Sequence, residues 1–114
     1  VKRILFVLVV ACGKKEAPVD DQKAPAMSAE EIQRSRDACQ TYVDQVCSCA
    51  TKVPEAKQQC DLARALPDAV RLGLEVAASP DSKKNDVLAA QGQVRKTTKE
   101  CIEQTAKLPA LGCQ

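Results

Sequence analysis

The 114-residue chain contains no histidine and no tryptophan, and its aromatics number two, Phe6 and Tyr42. Without histidine it lacks the side chain that most readily moves protons near neutral pH, and the commonest protein ligand of metals. Its four glycines form no phosphate-cradling loop. Two aromatics offer no stacking platform for bases, and a net charge of +2 supplies no basic field. Nucleic acid is therefore excluded as a partner. The apolar run from Ile4 to Ala11 is eight residues long, against about twenty needed to span a bilayer. No stretch alternates in the manner of a strand.

Cysteine is abundant instead, at seven residues. A domain this small, with an aliphatic and alanine core, needs covalent support. The first cysteine ends a leader with the parts of an export signal: basic Lys2 and Arg3, the apolar run, then small residues before a cut. Val9-Val10-Ala11-Cys12 resembles the lipobox of bacterial lipoproteins, with a branched aliphatic at −3, a small residue at −1 and Cys at +1. The resemblance covers positions 1 to 15. It implies a signal peptide over residues 1–11, diacylglycerol on the Cys12 thiol, and acylation (palmitate-type) of the new amine. It also implies residence in the bacterial cell envelope as a lipid-anchored protein. Gly13 in place of Asp resembles lipoproteins sorted to the outer membrane rather than the inner. Two or three acyl chains, at about 0.8 kcal/mol per buried methylene, anchor far more firmly than one.

Setting Cys12 aside leaves six cysteines, an even set for three disulfides. Removing Lys2 and Arg3 with the leader leaves fifteen basic against fifteen acidic side chains, so the remainder is neutral overall. Residues 12–27 read as the lipidated N-terminus and a flexible tether, charged and interrupted by Pro18 and Pro25. As a coil this spacer spans about 20 Å. Residues 28–114 read as one helical, disulfide-rich domain.

Ser28-Ala29-Glu30-Glu31 is a capping box, in which the hydroxyl accepts from the third helical amide and Glu31 reaches back. Ile32, Cys39, Tyr42, Val43, Val46 and Ala50 follow helical spacing, so a first helix should run to Ala50. Pro54 suits the first position of a second helix over 54–78. Pro67 falls inside that helix and predicts a kink or break near Leu66. Ala65, Ala69, Gly73 and Ala77 form a ridge of small side chains, read as tight packing inside the bundle rather than a dimer seam. Asp81 or Ser82 should cap a third helix. Its seam is Val87, Gln91, Val94, Thr98, Cys101, Thr105 and Leu108, alternating steps of four and three. It should end before Pro109, with Leu108 and Leu111 folding over the end of the bundle. The expected fold is all-α: a small disulfide-stapled up-down-up three-helix bundle, its second helix kinked or broken near Pro67.

Zinc would favour CxxC pairs or histidine, and the closest pair here is Cys47-Ser48-Cys49. A redox motif would sit beside a βαβ pattern, which is absent. Disulfides are the remaining use. At 100° per residue, Cys39 lies central to the first helix's stripe, with Cys47 and Cys49 about 80° to either side. They must seek different partners. Six cysteines allow fifteen pairings, which sequence alone does not decide; in an up-down-up chain the preferred set is Cys39–Cys101, Cys47–Cys60 and Cys49–Cys113.

No catalytic residue, metal-ligand set or cofactor site emerges. The function expected is a non-enzymatic lipoprotein, held at the membrane through its N-terminal lipid, whose helical head contacts an unidentified protein or the envelope. The alternative is a carrier of apolar ligands or lipid. Saposins and plant lipid-transfer proteins are six-cysteine helical carriers, but Cys39-x7-Cys47-x-Cys49-x10-Cys60 matches neither spacing.

Overall fold

The computed structural model describes residues 24–113. Cys12, the expected signal peptide over 1–11 and the expected tether up to residue 23 lie outside the described residues, as does residue 114. Among the described residues four α-helices follow one another: α1 (Ala29–Ala50), α2 (Ala56–Ala63), α3 (Ala65–Ala78) and α4 (Lys84–Lys107). A short 3-10 helix, Leu108–Leu111, closes the chain. No strand occurs among the described residues. The result is a small all-α bundle with three arms, namely α1, the α2–α3 pair and α4. α1 and α4 run in the same direction, since Cys39 meets Cys101 and Cys49 meets Cys113. α2 and α3 descend between them, packed on α1 and α4 respectively.

α1 starts where a capping serine permits. Ser28 is extended, and its Oγ accepts from the Glu31 N–H at 3.1 Å. The reciprocal half of the box is not made. Glu31 instead gives its carboxylate to Arg95 of α4, tying the first turn across the bundle.

The second helical region is divided earlier than its proline suggests. The interruption falls at Arg64, and Pro67 is the third residue of α3. A proline disturbs the turn before it, because its ring clashes with the carbonyl four residues back and cannot donate to it. That carbonyl belongs to Ala63, so α2 ends there, and Pro67 falls in a first turn where no amide donor is required. Pro54, by contrast, precedes its helix: it belongs to the turn over 51–55, and the Ala56 and Lys57 amides reach the carbonyls of Val53 and Pro54.

α4 begins after Lys83, whose N–H donates to the Asp86 carboxylate at 3.2 Å. The expected caps Asp81 and Ser82 lie ahead of that point in the turn. The polar members of the α4 seam are satisfied within the fold. Thr98 and Thr105 hydroxyls donate to the carbonyls of Val94 and Cys101, both at 2.7 Å. The Gln91 amide donates to the Pro25 carbonyl, also at 2.7 Å. This last bond, with Ala24 and Met27 both buried, shows that residues 24–27 pack on the bundle. The four residues before the Ser28 cap thus lie against the bundle as an arm.

The interior is aliphatic and sulfur-rich. Val46, Val70, Val94, Cys39 and Cys101 are its largest fully buried apolar side chains, with Tyr42, Leu74 and Leu108 beside them. At Gly73, α3 passes close to α4. A Cβ there would lie 2.6 Å from Val94 Cγ2. The small-residue ridge therefore serves packing inside the bundle at this position. Ala65, at its far end, is exposed.

Candidate functional site

The densest chemistry of the domain is its cysteine framework. Cys39 is bonded to Cys101, Cys47 to Cys60 and Cys49 to Cys113, with Cα separations of 5.0, 4.7 and 5.4 Å. This is the preferred set of the fifteen possible. The Cys39–Cys101 bridge crosses the centre of the bundle from α1 to α4 and is 0% exposed at both residues. Cys47 and Cys49 leave α1 on opposite sides of its stripe, as a step of two residues on a helix requires. Cys47 reaches α2 and Cys49 reaches the tail.

The tail is built to deliver Cys113. Leu108 is buried and continues the α4 seam, and Pro109 tightens the chain into the 3-10 helix. Gly112 then turns left-handed at φ 89°, a conformation open to glycine. This lets the Cys113 N–H close onto the Leu108 carbonyl at 3.1 Å and aims the thiol at Cys49. Leu111, expected to cover the end, is 41% exposed instead. The reversal at Gly112 buries Cys113 in its place.

Around this framework the surface carries grooves between helices. One of about 620 Å³ runs along the α1–α4 seam over Ala38, Thr41, Ile102 and Thr105, rimmed by Arg34 and Asp37. Arg34 and Ile102 also border a second depression, shared with Arg95 and Lys99. Ile102, 51% exposed, is thus an apolar crest between two open hollows with charged rims. A groove of about 730 Å³ lies at the capped end, walled by Asp44, Lys52, Val53, Leu108 and Pro109 beside the Cys49–Cys113 bridge. Ile102 was missed in the sequence because it stands off the α4 seam; an aliphatic on the polar face of a helix was the available signal.

These grooves gather no reactive set. Asp37 and Asp44 accept from Gln33 and Gln40 one turn away, at 2.8 and 2.9 Å, as solvated helix-face pairs. Among the described residues no group of three His, Cys, Asp or Glu side chains is placed to hold a metal. No helix among them is long and apolar enough to cross a membrane. Tyr42 carries a raised pKa, first because burial disfavours its anion and second because Glu100 lies near, but it is a packing residue facing α4. What the surface offers is shape and charge: a crest, two hollows and a capped end. Comparison with protein-family models, curated proteins and solved structures finds no match.

Proposed function

We propose that the protein is a lipid-anchored component of the bacterial envelope whose helical head is a non-enzymatic interaction module. Acylated Cys12 holds it at the membrane, the outer one by the resemblance of Gly13, and the head contacts a protein or an envelope component. The observation that carries this reading is the filled centre of the bundle. Val46, Val94, Cys39 and Cys101 meet there with no exposure, whereas the grooves lie outside, open to solvent, with charged side chains at their rims. A carrier of apolar ligands needs an apolar hollow of several hundred Å³ between its helices, and this interior is occupied by side chains. Contact therefore falls to the surface, with the crest at Ile102 as its centre.

Photo-crosslinking residues placed at Gln33 and Ile102 in intact cells test the module. A discrete crosslinked protein or envelope polymer is the expected outcome. Absence of any adduct, together with lipid retained by the protein in native mass spectrometry, would move the function to a carrier. The anchor is tested separately by labelling with a palmitate analogue. Cys12→Ser should lose the label and leave the membrane fraction, and an unlabelled parent would remove the lipoprotein reading.

A further inference from the structure

α2 is the shortest α-helix of the fold. It has eight residues and no side chain caps either end. It is bounded by the turn over 51–55 on one side and the interruption at Arg64 on the other. A helix of this length does not persist by itself in water. Ala56, Cys60 and Ala63 are buried, and Leu62 is 64% exposed. Two alanines give little burial, so attachment to α1 rests largely on Cys47–Cys60. That bridge is also the one with a solvent-facing end. Cys47 is half-buried, whereas Cys39, Cys49, Cys101 and Cys113 are all buried.

We propose that Cys47–Cys60 is a reducible latch, opened by a dithiol ahead of the other two bridges. Its opening releases residues 51–64 from α1 while α1, α3 and α4 stay packed. One thiolate of the dithiol attacks Cys47 Sγ, the S–S bond breaks, and Cys60 departs as a thiolate and takes up a proton. The second thiolate of the dithiol then attacks the mixed disulfide and expels Cys47, which is protonated in turn. Two electrons and two protons pass to the protein, and the dithiol leaves as its cyclic disulfide. The freed segment uncovers the flank of α1 on which it packs.

The geometry also guards the original pairing. Cys47 and Cys49 project about 160° apart around α1, so the Cys47 thiolate faces away from Cys49–Cys113 while α1 is helical. Cys39–Cys101, in the centre, holds α1 to α4 throughout. Reoxidation therefore restores Cys47–Cys60. The latch is independent of the lipid anchor and of the partner, since it rests on exposure and connectivity within the bundle.

The test treats the full chain with increasing dithiothreitol, quenches with acid, alkylates and maps peptides, following amide exchange in the same samples. Cys47 and Cys60 should be alkylated about tenfold faster than the other four, with faster exchange confined to residues 51–64. Simultaneous labelling of all six, or earlier labelling of Cys49 and Cys113, would overturn the proposal. So would reduction of Cys47–Cys60 with 51–64 still protected. The variant Cys47→Ser/Cys60→Ser should remain folded, with 51–64 exchanging freely before any reductant is added. If it fails to fold, the claim that the other helices stand without the latch is wrong.

Discussion

Replacing Gly73 with alanine should weaken this bundle, although the same change in an open helix strengthens one. Gly73 lies in the interior of α3, where alanine is favoured over glycine by about 0.5–1 kcal/mol. Against that gain stands the 2.6 Å approach of its Cβ to Val94 Cγ2. Val94 is fully buried in α4, and a β-branched side chain in a helix has one strongly preferred rotamer. It has no free direction in which to turn. The contact is relieved only if α3 and α4 move apart, and overpacking of this kind costs about 1–3 kcal/mol. The net expectation for Gly73→Ala is a loss of about 1–2 kcal/mol. Gly92 is the internal control. It is exposed on α4, and a Cβ there meets nothing within 4 Å. Gly92→Ala should therefore gain about 0.5–1 kcal/mol.

Urea unfolding followed by helical circular dichroism, with bridges intact, reads both changes as midpoint shifts at constant slope. The two variants should move in opposite directions. A further arm uses Val94→Ala, which removes two buried methyl groups and should cost about 2 kcal/mol alone. Gly73→Ala/Val94→Ala should lose less than the two single changes together, by about 1 kcal/mol, because the new methyl enters the vacated space. Equal stabilisation by Gly73→Ala and Gly92→Ala would refute the packing argument at the α3–α4 contact.

Three other outcomes follow from the same structure. Met27 is buried ahead of the first helix, so Met27→Ala should cost about 2 kcal/mol in the same urea assay, whereas a residue of a free tether would cost nothing. Tyr42 has a pKa raised from 10.0 by burial and then by Glu100, so its folded form binds the proton more tightly than the unfolded chain does. Its contribution is complete below pH 10 and is lost as pH rises through the folded value; Tyr42→Phe should flatten that alkaline decline, read by unfolding at pH 9 and above. Cys39→Ala/Cys101→Ala opens a sequence separation of 62 against 13 for Cys47–Cys60. In the chain-entropy model these bridges contribute about 4 and 3 kcal/mol, so thermal unfolding should fall further for the central pair.

Helical phase made the bundle legible. Ser28, the spacing of Cys39, Tyr42 and Val46, and the 4-3 steps from Gln91 to Leu108 each state a local preference that the fold keeps. The disulfides could be ordered because Cys47 and Cys49, two residues apart, cannot share a face of one helix. What escaped depends on contacts distant in sequence. The Gln91 amide bonds Pro25 across 66 positions, which no periodicity announces, so the arm over 24–27 reads as tether. Glu31 leaves its box for Arg95 for the same reason. The break expected near Leu66 falls two residues earlier, at Arg64, since the effect of Pro67 acts on the carbonyl four residues upstream.

The exposed crest at Ile102 belongs with the shortage of large side chains inside. A bundle held by apolar burial alone would gain from directing every Leu and Ile inward, yet Leu62, Leu72, Leu88 and Ile102 all face water. Its fully buried positions are taken by Val, Ala, Cys and Ser35, and the three bridges supply through restriction of the unfolded chain what those small residues lack in area. Cystine acts here both as cross-link and as core, with Cys39 and Cys101 occupying central volume that an aromatic would otherwise fill. Stability is thereby uncoupled from the outer faces of α1 and α4. Substituting Ile102 by a polar residue should leave the unfolding midpoint close to the parent's while abolishing the crosslinks expected at that face. A large fall in stability would instead assign Ile102 to the core and remove the crest from the interaction surface.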